Sequence, residues 1–342
     1  MQPLLLTMGD PTGIGPELIV KALLDGSLNN LQRDLQIVGD VGVLCCAARI
    51  YNCSGKPEKI DEQLYSIQFG DRELKVQALT ELEIPALRYG CPDQACGKAM
   101  AAYVEYAIAR CLDGTAAGMV TCPINKAAIN AAGYPFPGHT ELLAERCKRR
   151  KVVMMLTGNR LKVCLVTTHL AYRDVPGQLT QKNILDTIRI SARGLQEQFA
   201  IAQPRIAVLA LNPHAGESGL FGDEEARIIA PAIAQARAEG LSADGPHSAD
   251  TLFHFASNGA YDAVVCMYHD QGLIPLKLLH FDDAVNVTLG LPIIRTSVDH
   301  GTAYDLAGTG QANTASLVAA INLAGRMANS HSRSDETTAE RT

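Results

Sequence analysis

Short apolar runs alternate with segments of helical periodicity along most of the 342-residue chain. Seven runs have the length and composition of strands buried on both faces: Leu4–Met8, Gln36–Val38, Met119–Cys122, Val152–Leu156, Val163–Thr167, Ile206–Leu211 and Ala263–Met267. Five segments between them repeat apolar residues at helical spacing: Pro16–Leu24, Gln94–Leu112, Thr140–Cys147, Leu179–Phe199 and Asp223–Ala238. This alternation predicts an α/β protein with a largely parallel sheet.

The C-terminal segment differs from the rest of the chain. Residues Asn329–Thr342 are polar and contain no hydrophobic anchor, so we expect a disordered tail there. Upstream, no linker rich in proline, glycine or serine divides the chain. Two domains, if present, are therefore expected to exchange chain segments rather than to follow one another.

The composition restricts the classes of partner. Hydrophobic residues make up 47% of the chain, charged residues 19%, and the net charge is −6, so we expect no large basic surface for nucleic acid or anionic lipid. No run approaches the ~18 apolar residues of a membrane helix, and no basic leader precedes the first strand, which favours a cytoplasmic protein. The 10 cysteines form no C-x-x-C pair and fall mostly in apolar patterns, as expected of reduced, buried thiols.

Three predicted strands end at a histidine, namely His169, His214 and His269. Ligands of open α/β sheets bind beyond the carboxyl ends of the strands, so these imidazoles could converge. Three histidines with an open coordination position form a typical catalytic metal centre. Glu217 lies close in sequence to His214, and Asp270 lies next to His269, so these carboxylates are candidate partners of the two histidines. The alternative is that each histidine is a hydrogen-bonded loop residue.

Two loops are candidate anion sites. The segment from Pro135 to Leu143 predicts a rigid turn into a helix, with Thr140 as N-cap and His139 as an added donor to phosphate or carboxylate. The alternative is a capped helix that binds nothing. The loop Gly9–Glu17 is glycine-rich, but it matches neither the dinucleotide fingerprint nor a P-loop.

Polar residues also interrupt three apolar stretches near the C-terminal side, at Lys277, Asn286 and Arg295. Arginine and lysine in such surroundings suit an anionic substrate, because buried charges are rarely left without a counter-charge. A structural salt bridge is the competing interpretation for each of them.

Taken together, these motifs resemble the 4-hydroxythreonine-4-phosphate dehydrogenase family of vitamin B6 biosynthesis. The resemblance covers nearly the whole chain except the tail, through seven ordered motifs: Gly9–Glu17, Pro123–Lys126, Pro137–Glu141, Thr168–Leu170, Asn212–Glu217, Met267–Gly272 and Arg295–Ala303. Related branches are similar to dehydrogenases of 4-phospho-D-threonate, of 4-phospho-D-erythronate and of a cyclic dihydrodiol dicarboxylate. The last branch departs from the His139-Thr140 pair that this chain retains.

The resemblance implies a two-domain α/β fold similar to isocitrate and isopropylmalate dehydrogenases, with the active site in the interdomain cleft. On that basis we expect a cofactor-side domain from 1–135 plus 296–328, a metal, substrate and dimerisation domain from 136–295, and the tail from 329–342. It also implies a homodimer with a shared active site.

The resemblance further implies roles for individual residues. His169, His214 and His269 match the metal ligands, one of them supplied by the partner chain, for a divalent ion such as zinc, cobalt or magnesium. The matching substrate contacts are His139, Thr140, Lys277, Asn286 and Arg295. The implied reaction oxidises a phosphorylated hydroxy acid with NAD and releases CO₂ and 3-amino-2-oxopropyl phosphate. Asp250 and Lys277 are the candidates for moving protons.

The cofactor expectation rests on one further loop, which resembles the adenosine-binding loop of the isocitrate and isopropylmalate dehydrogenases. Its matching residues are His300, Gly301, Thr302, Ala303, Asp305 and Asn313. A carboxylate at Asp305 accepts hydrogen bonds from ribose hydroxyls and repels a 2′-phosphate, which favours NAD over NADP. The alternative is that Asp305 caps a following helix. A non-catalytic protein that binds a phosphorylated metabolite is the rival from another functional class.

Overall fold

The computed structural model describes residues 1–136 and 138–339, with side chains through Ser330. Its contacts divide the chain into two compact units. Unit 1 comprises Met1–Lys148 and Leu291–Asn329, and unit 2 is built on Arg149–Gly290. The chain thus leaves unit 1, forms unit 2 and returns. Pro137, part of the predicted turn before His139, lies outside the described residues.

Unit 1 contains a mixed sheet with helices numbered in chain order. Its strands are β1 (Leu4–Thr7), β2 (Leu35–Gly39), β3 (Lys56–Lys59), β4 (Leu64–Phe69), β5 (Arg72–Ala78), β6 (Gly118–Thr121) and β13 (Arg295–Val298). They are ordered β13-β6-β1-β2-β5-β4-β3, and the pairs from β13 to β5 are parallel, whereas β4 pairs antiparallel with both β5 and β3. The helices are α1 (Gly15–Leu24), α2 (Val41–Arg49), α3 (Gln94–Leu112), α4 (Lys126–Ala131), α5 (His139–Arg146) and α11 (Ala315–Ala339).

Unit 2 repeats the α/β pattern. Its strands are β7 (Val153–Thr157), β8 (Lys162–Leu165), β9 (Ile206–Leu209), β10 (Ala243–His247), β11 (Ala263–Cys266) and β12 (Val285–Leu289). They are ordered β10-β9-β11-β8-β7-β12; β10, β9, β11 and β8 run parallel, and β7 pairs antiparallel with β8 and β12. The helices are α6 (Val175–Gln178), α7 (Gln181–Glu197), α8 (Ala230–Ala238), α9 (Ala249–Ser257) and α10 (His269–Leu279).

The central strands have the burial that their composition predicts. Every residue of β1, β6, β9 and β11 is buried, because helices cover both faces of the parallel part of each sheet. The strand-like runs and the α/β class expected from the sequence are thereby confirmed. By contrast, all four residues of β3 are exposed, so the antiparallel edge of unit 1 has no continuous apolar run.

Helix α5 lies in unit 1, whereas the predicted boundaries assign it to the second domain. The packing gives a physical reason. The Arg146 side chain at the end of α5 pairs with Glu105 of α3, Nη2 to Oε1, at 2.7 Å. The motif that carries His139 therefore lies in the same unit as Arg295.

The predicted tail differs from what the structure shows. Helix α11 does not stop at Asn329 but extends to Ala339, because no glycine or proline follows Asn329 within it and adding residues to an existing helix is easier than starting one. Residues 340–342 of the expected tail lie outside the described residues.

Candidate active site

His169 and His269 lie side by side in unit 2. Strands β8 and β11 are parallel neighbours, and each leads within a few residues to its histidine. The two imidazole centroids are 5.6 Å apart, and the ring planes are inclined at 45°. The strand-end argument therefore places two of the three predicted ligands together.

Asp270 determines which nitrogen of His269 can bind a ligand. The distance from Nδ1 of His269 to Oδ1 of Asp270 is 2.7 Å, the distance of a hydrogen bond. A carboxylate at this position accepts the proton of Nδ1, which leaves the lone pair of Nε2 for a metal. The role expected for Asp270 matches this geometry.

The third histidine does not join this pair within one chain. Among the side chains that the structure describes, in residues 1–136 and 138–330, no group of three or more histidine, cysteine, aspartate or glutamate residues is placed to hold a metal ion. His214 is instead exposed, with its ring 6.3 Å from that of Phe221.

The backbone around His214 has an unusual conformation. Five consecutive residues have positive φ: His214 at 52°, Ala215 at 54°, Gly216 at 80°, Glu217 at 43° and Ser218 at 56°. Left-handed helical geometry costs roughly 1–2 kcal/mol for each residue other than glycine. A segment with four such residues requires specific support from its surroundings.

Glu225, at the start of a short π-helical turn before α8, is hydrogen-bonded to the chain just before this segment. Its Oε1 accepts the backbone N–H groups of Leu211 and Asn212, each at 2.8 Å. Burial would raise the pKa of Glu225, but hydrogen bonds from Asn212 and Leu211 outweigh it and lower that pKa. Glu217, the expected partner of His214, is exposed, as is His214 itself.

Two further polar residues tie the strand ends together. The Gln271 side chain donates to the carbonyl of Ala210 after β9 at 2.7 Å and accepts from the N–H of Met267 after β11 at 2.7 Å. Thr167, after β8, donates its hydroxyl to the carbonyl of Met267 at 2.7 Å. Gln271 lies within the motif Met267–Gly272, but no local feature of the sequence predicts that its side chain bridges two strands.

Unit 1 contains a separate cationic cluster. Helix α5 begins at His139 with Gly138 as its N-cap and without a side-chain cap, so the prediction of Thr140 as the cap was wrong. The helix starts earlier than expected because glycine occupies the cap, at φ 174° and ψ −170°. Thr140 lies in the first turn, whose N–H groups are available to an anion.

The electrostatics around His139 favour a bound anion. Burial, then the charges of Arg295 and Lys126, hold the pKa of His139 well below its ordinary value of 6.5. Its Nε2 is buried without a hydrogen-bond partner. Burial lowers the pKa of Arg295 to about 10, so its guanidinium remains charged at neutral pH, and it donates to Thr121 Oγ1 at 2.8 Å. Lys126 and Thr121 were not predicted as site residues.

The remaining predicted residues of unit 2 lie on three elements. Lys277 is half-buried in the last turn of α10, the helix that begins at His269, and its Nζ lies 5.7 Å from the Phe281 ring centroid. Asn286 lies in β12 opposite Leu156. Asp250 is exposed in the first turn of α9 and accepts a hydrogen bond from Ser248 at 2.7 Å.

The glycine-rich loop supports the predicted cofactor loop. The N–H of Ile14 donates to the carbonyl of Thr302 at 3.1 Å, and the Tyr304 hydroxyl donates to buried Asp10 at 2.6 Å. A Cβ at Gly9 would lie 2.3 Å from the Pro123 carbonyl oxygen, so close packing accounts for this glycine. Burial and Asp10 raise the pKa of Tyr304 to about 12, which keeps its hydroxyl a donor.

Asp305 is exposed in a run of turns, and the next helix, α11, begins only at Ala315. The N–H of Ala315 instead donates to the Asn313 side chain at 2.9 Å. The helix-cap alternative for Asp305 is therefore wrong, and the carboxylate is exposed to solvent.

Comparison with known proteins identifies the family. The chain is 55% identical over 325 residues to a Geobacter metallireducens protein named 4-hydroxythreonine-4-phosphate dehydrogenase, covering 95% of each. The model of the family described as pyridoxal phosphate biosynthetic protein PdxA matches residues 31–324. The chain belongs to this family.

Solved structures confirm the PdxA fold. The crystal structure of 4-hydroxythreonine-4-phosphate dehydrogenase from Klebsiella pneumoniae superimposes with a TM-score of 0.84 at 43% identity, covering 96% of this chain and 98% of that one. A terephthalate 1,2-cis-dihydrodiol dehydrogenase from Burkholderia xenovorans gives a TM-score of 0.64 at 30% identity, covering 95% and 98%. The resemblance inferred from the motifs and the two-unit α/β architecture are thus confirmed.

Two expectations about the whole chain can also be compared with the structure. All 10 cysteines are free, and five of them are buried. No helix in the described part of the chain is long and apolar enough to cross a membrane.

Proposed function

We propose that this PdxA-family chain is an NAD-dependent 4-hydroxythreonine-4-phosphate dehydrogenase of pyridoxal 5′-phosphate biosynthesis. It oxidises the C3 hydroxyl of 4-phosphohydroxy-L-threonine, with the hydride passing to NAD, and the resulting β-keto acid loses CO₂ to give 3-amino-2-oxopropyl phosphate. The observation that carries the proposal is the cluster of Lys126, His139 and Arg295 at the uncapped start of α5. Such a cluster is suited to a substrate with phosphate and carboxylate groups.

The cluster provides two kinds of contact with an anion. The Arg295 fork and the Lys126 ammonium supply positive charge, and Thr121 holds the guanidinium at one side. His139 stays neutral at physiological pH, so its buried Nε2 is available for a directional hydrogen bond. Thr140 in the first turn, and Lys277 and Asn286 of unit 2, complete the proposed set of substrate contacts.

The donor set in unit 2 fits a divalent cation. Imidazole suits zinc, cobalt and nickel, and Asp270 leaves Nε2 of His269 available. His169 and His269 would bind from one protomer, and His214 from its partner. A bound cation would supply a Lewis acid that lowers the pKa of the substrate hydroxyl and stabilises negative charge as hydride and CO₂ leave.

A homodimer is supported by an apolar stripe on the helix that begins at His269. Ile274 and Leu278 lie one turn apart on this helix and are 69% and 85% exposed, and Phe281, just beyond the end of the helix, is 76% exposed. Exposed apolar residues that share one face mark an interaction surface. A second copy of the chain covering this face would bring its own residues close to the histidine pair.

Protons must be moved during the reaction, and Asp250 and Lys277 are the proposed carriers. Asp250 accepts from Ser248, which orients its carboxylate at the start of α9. Lys277 lies two helical turns from His269 on α10. Both are side chains of unit 2, as are the three histidines.

The cofactor assignment rests on the loop from His300 to Asn313. His300, Gly301, Thr302 and Ala303 are proposed to surround the adenosine, with Asn313 completing the site and exposed Asp305 facing the ribose. Asp305→Lys should shift the ratio of kcat/KM values towards NADP, because the lysine attracts the 2′-phosphate that the aspartate repels. An unchanged ratio would contradict the assignment, and Asp282→Lys, an exposed carboxylate of unit 2, is the control.

We also place the enzyme in the cytoplasm. All 10 cysteines are free, and reduced thiols are the normal state in a compartment buffered by thiols.

The decisive experiment follows the absorbance of reduced nicotinamide with the purified protein, NAD and a divalent ion. We expect turnover with 4-phosphohydroxy-L-threonine and much lower kcat/KM with 4-phospho-D-threonate or 4-phospho-D-erythronate. A preference for either of the latter would assign the chain to a sister activity within the family. Stoichiometric binding of the phosphorylated acid without any reduction of NAD would indicate a binding protein instead.

A further inference from the structure

We propose that Glu225 is a positioning residue that holds the left-handed loop 214–218, and with it His214, in the conformation that binds metal. The inference rests on the proposed function, because it takes His214 as a ligand. Glu225 lies well beyond His214 in the sequence and no family motif quoted above contains it. Its role follows from contacts within unit 2 alone.

Glu225 is hydrogen-bonded to the chain immediately before the loop. Its Oε1 receives two adjacent backbone N–H groups, those of Leu211 and Asn212, and its Oε2 receives the Asn212 side-chain amide at 3.1 Å. The same amide donates to Glu224 at 2.7 Å. The strand end leading to His214 is therefore fixed by backbone as well as side-chain hydrogen bonds to one buried carboxylate.

Glu225 also lies against the middle of the loop. A Cβ at Gly216 would lie 2.7 Å from Oε2 of Glu225 and 3.2 Å from the Gly222 carbonyl oxygen. The loop thus closes directly over the carboxylate, and only glycine fits at that point. The N–H of Phe221 donates a hydrogen bond to the carbonyl of Gly216 at 3.2 Å, which closes the loop. The Glu225 carboxylate therefore lies on the inner side of the left-handed turn, against Gly216.

The charge of Glu225 is essential to this arrangement. An ionised carboxylate can accept all of these N–H groups at once, whereas a glutamine of the same size presents an NH₂ group that would face other donors. Glu225→Gln therefore removes the anchor with little change in volume. Without it, the strained φ values of residues 214–218 lose a compensating interaction, and His214 samples other positions.

The test measures Co²⁺ affinity of the full-length protein by visible absorption, together with hydrogen exchange of the metal-free protein. Glu225→Gln should weaken Co²⁺ binding by about 10- to 100-fold, the range seen when a supporting residue of a metal ligand is lost. The amides of Leu211 and Asn212 should exchange faster, while KM for NAD stays unchanged. Glu225→Asp, which keeps the charge but shortens the reach, should have an intermediate effect and serves if the glutamine variant does not fold.

The matched control is Glu239→Gln. Glu239 lies at the other end of the same helical segment, pairs with Arg189 at 2.7 Å, and has a lowered pKa like Glu225, but it is not part of the loop. We expect no change in Co²⁺ affinity for this variant. A Glu225→Gln protein that unfolds more easily yet binds Co²⁺ like the parent would overturn the positioning role.

His214→Ala separates this inference from the proposed function. If His214→Ala weakens Co²⁺ binding and Glu225→Gln does not, the positioning role fails and the metal assignment stands. If His214→Ala binds Co²⁺ as tightly as the parent, His214 is not a ligand and both the assignment and the positioning role fail.

Discussion

Arg295 is buried and charged and donates a hydrogen bond to Thr121, which makes it a sensitive probe of the anion cluster. Replacing its planar fork with the point charge of lysine should raise KM for the phosphorylated substrate about tenfold or more, equivalent to about 1.4 kcal/mol. The KM for NAD should not change. Steady-state kinetics of Arg295→Lys provide the measurement.

Arg33→Lys is the control for this substitution. Arg33 is another buried arginine of unit 1 and donates to the carbonyl of Ala328 at 3.2 Å. It lies outside the seven motifs that carry the family resemblance. Its substitution should lower the free energy of unfolding and leave KM for the substrate unchanged. Equal KM values for Arg295→Lys and the parent would show that Arg295 is structural.

The neutral imidazole of His139 gives the protein a specific sensitivity to acid. The unfolded chain takes up a proton at His139 near its ordinary pKa of 6.5, but the folded protein does so only at a much lower pH. As the pH falls below 6.5, the unfolded state is therefore favoured, and this contribution is constant above that pH. His139→Gln should lose less stability than the parent between about pH 7.5 and about pH 5.5.

Chemical denaturation at several pH values tests this expectation without substrate. His254→Gln, a substitution of an exposed histidine in α9, should leave the pH dependence of the parent intact. If His139→Gln and the parent lose the same free energy of unfolding on acidification, folding does not lower the pKa of His139.

Individual residues differ in how far the sequence could predict them. His169 and His269 were predictable because each follows a strand, and parallel strands end at a common edge. Glu225 was not predictable, because it reaches Leu211 and Asn212 through a turn whose geometry depends on five positive φ values. The placement of Lys126 beside His139 likewise depends on how α4 and α5 pack in unit 1.

Among the elements, α10 carries both a candidate metal ligand and the exposed apolar stripe. Leu278→Glu places a charge in the centre of that stripe and should convert a dimer into a monomer, because burial of an unpaired carboxylate is costly. Sedimentation velocity measures the change. Activity should fall together with dimerisation, since the proposed metal site takes His214 from the partner.

Leu112→Glu is the matched control, because Leu112 is also an exposed leucine but lies at the end of α3 in unit 1. It should leave the sedimentation coefficient unchanged. A Leu278→Glu protein that sediments like the parent would place the subunit interface on another face.

The helices and strands differ in how well the sequence pattern predicts them. Helix α3 has the bounds predicted for it, Gln94–Leu112, because its periodicity persists over five turns with no breaker. Helix α10 was not predicted, because Gly272 and Pro275 interrupt its apolar pattern. Strand β10 was not predicted either, because Gly245 and Pro246 are typical of loops. Tertiary packing decides these elements against their local propensities.

At the scale of the whole molecule, the proposed sharing of histidines can be tested by complementation. A heterodimer of one His169→Ala chain and one His214→Ala chain, purified through two different tags, would contain one site with all three ligands. It should recover about half the activity of the parent, although each homodimeric variant is inactive.

A heterodimer of His169→Ala with His269→Ala is the control, because both ligands belong to the same protomer at each site and no complete site forms. Restored activity in this control, or none in the first heterodimer, would contradict the assignment of His214 to the partner chain. The pairing of His169 with His269 at 5.6 Å predicts the inactive control.

The open edge of the unit 1 sheet has a consequence for how copies of the molecule behave when crowded. Strand β3 reads Lys56-Pro57-Glu58-Lys59, is exposed throughout and, among the strands that the structure describes, pairs with β4 alone. Proline offers no N–H to an incoming strand, and the lysine side chains repel a second copy of the same edge. We therefore expect this edge to resist the strand-by-strand addition of further chains, which is the first step towards a fibre.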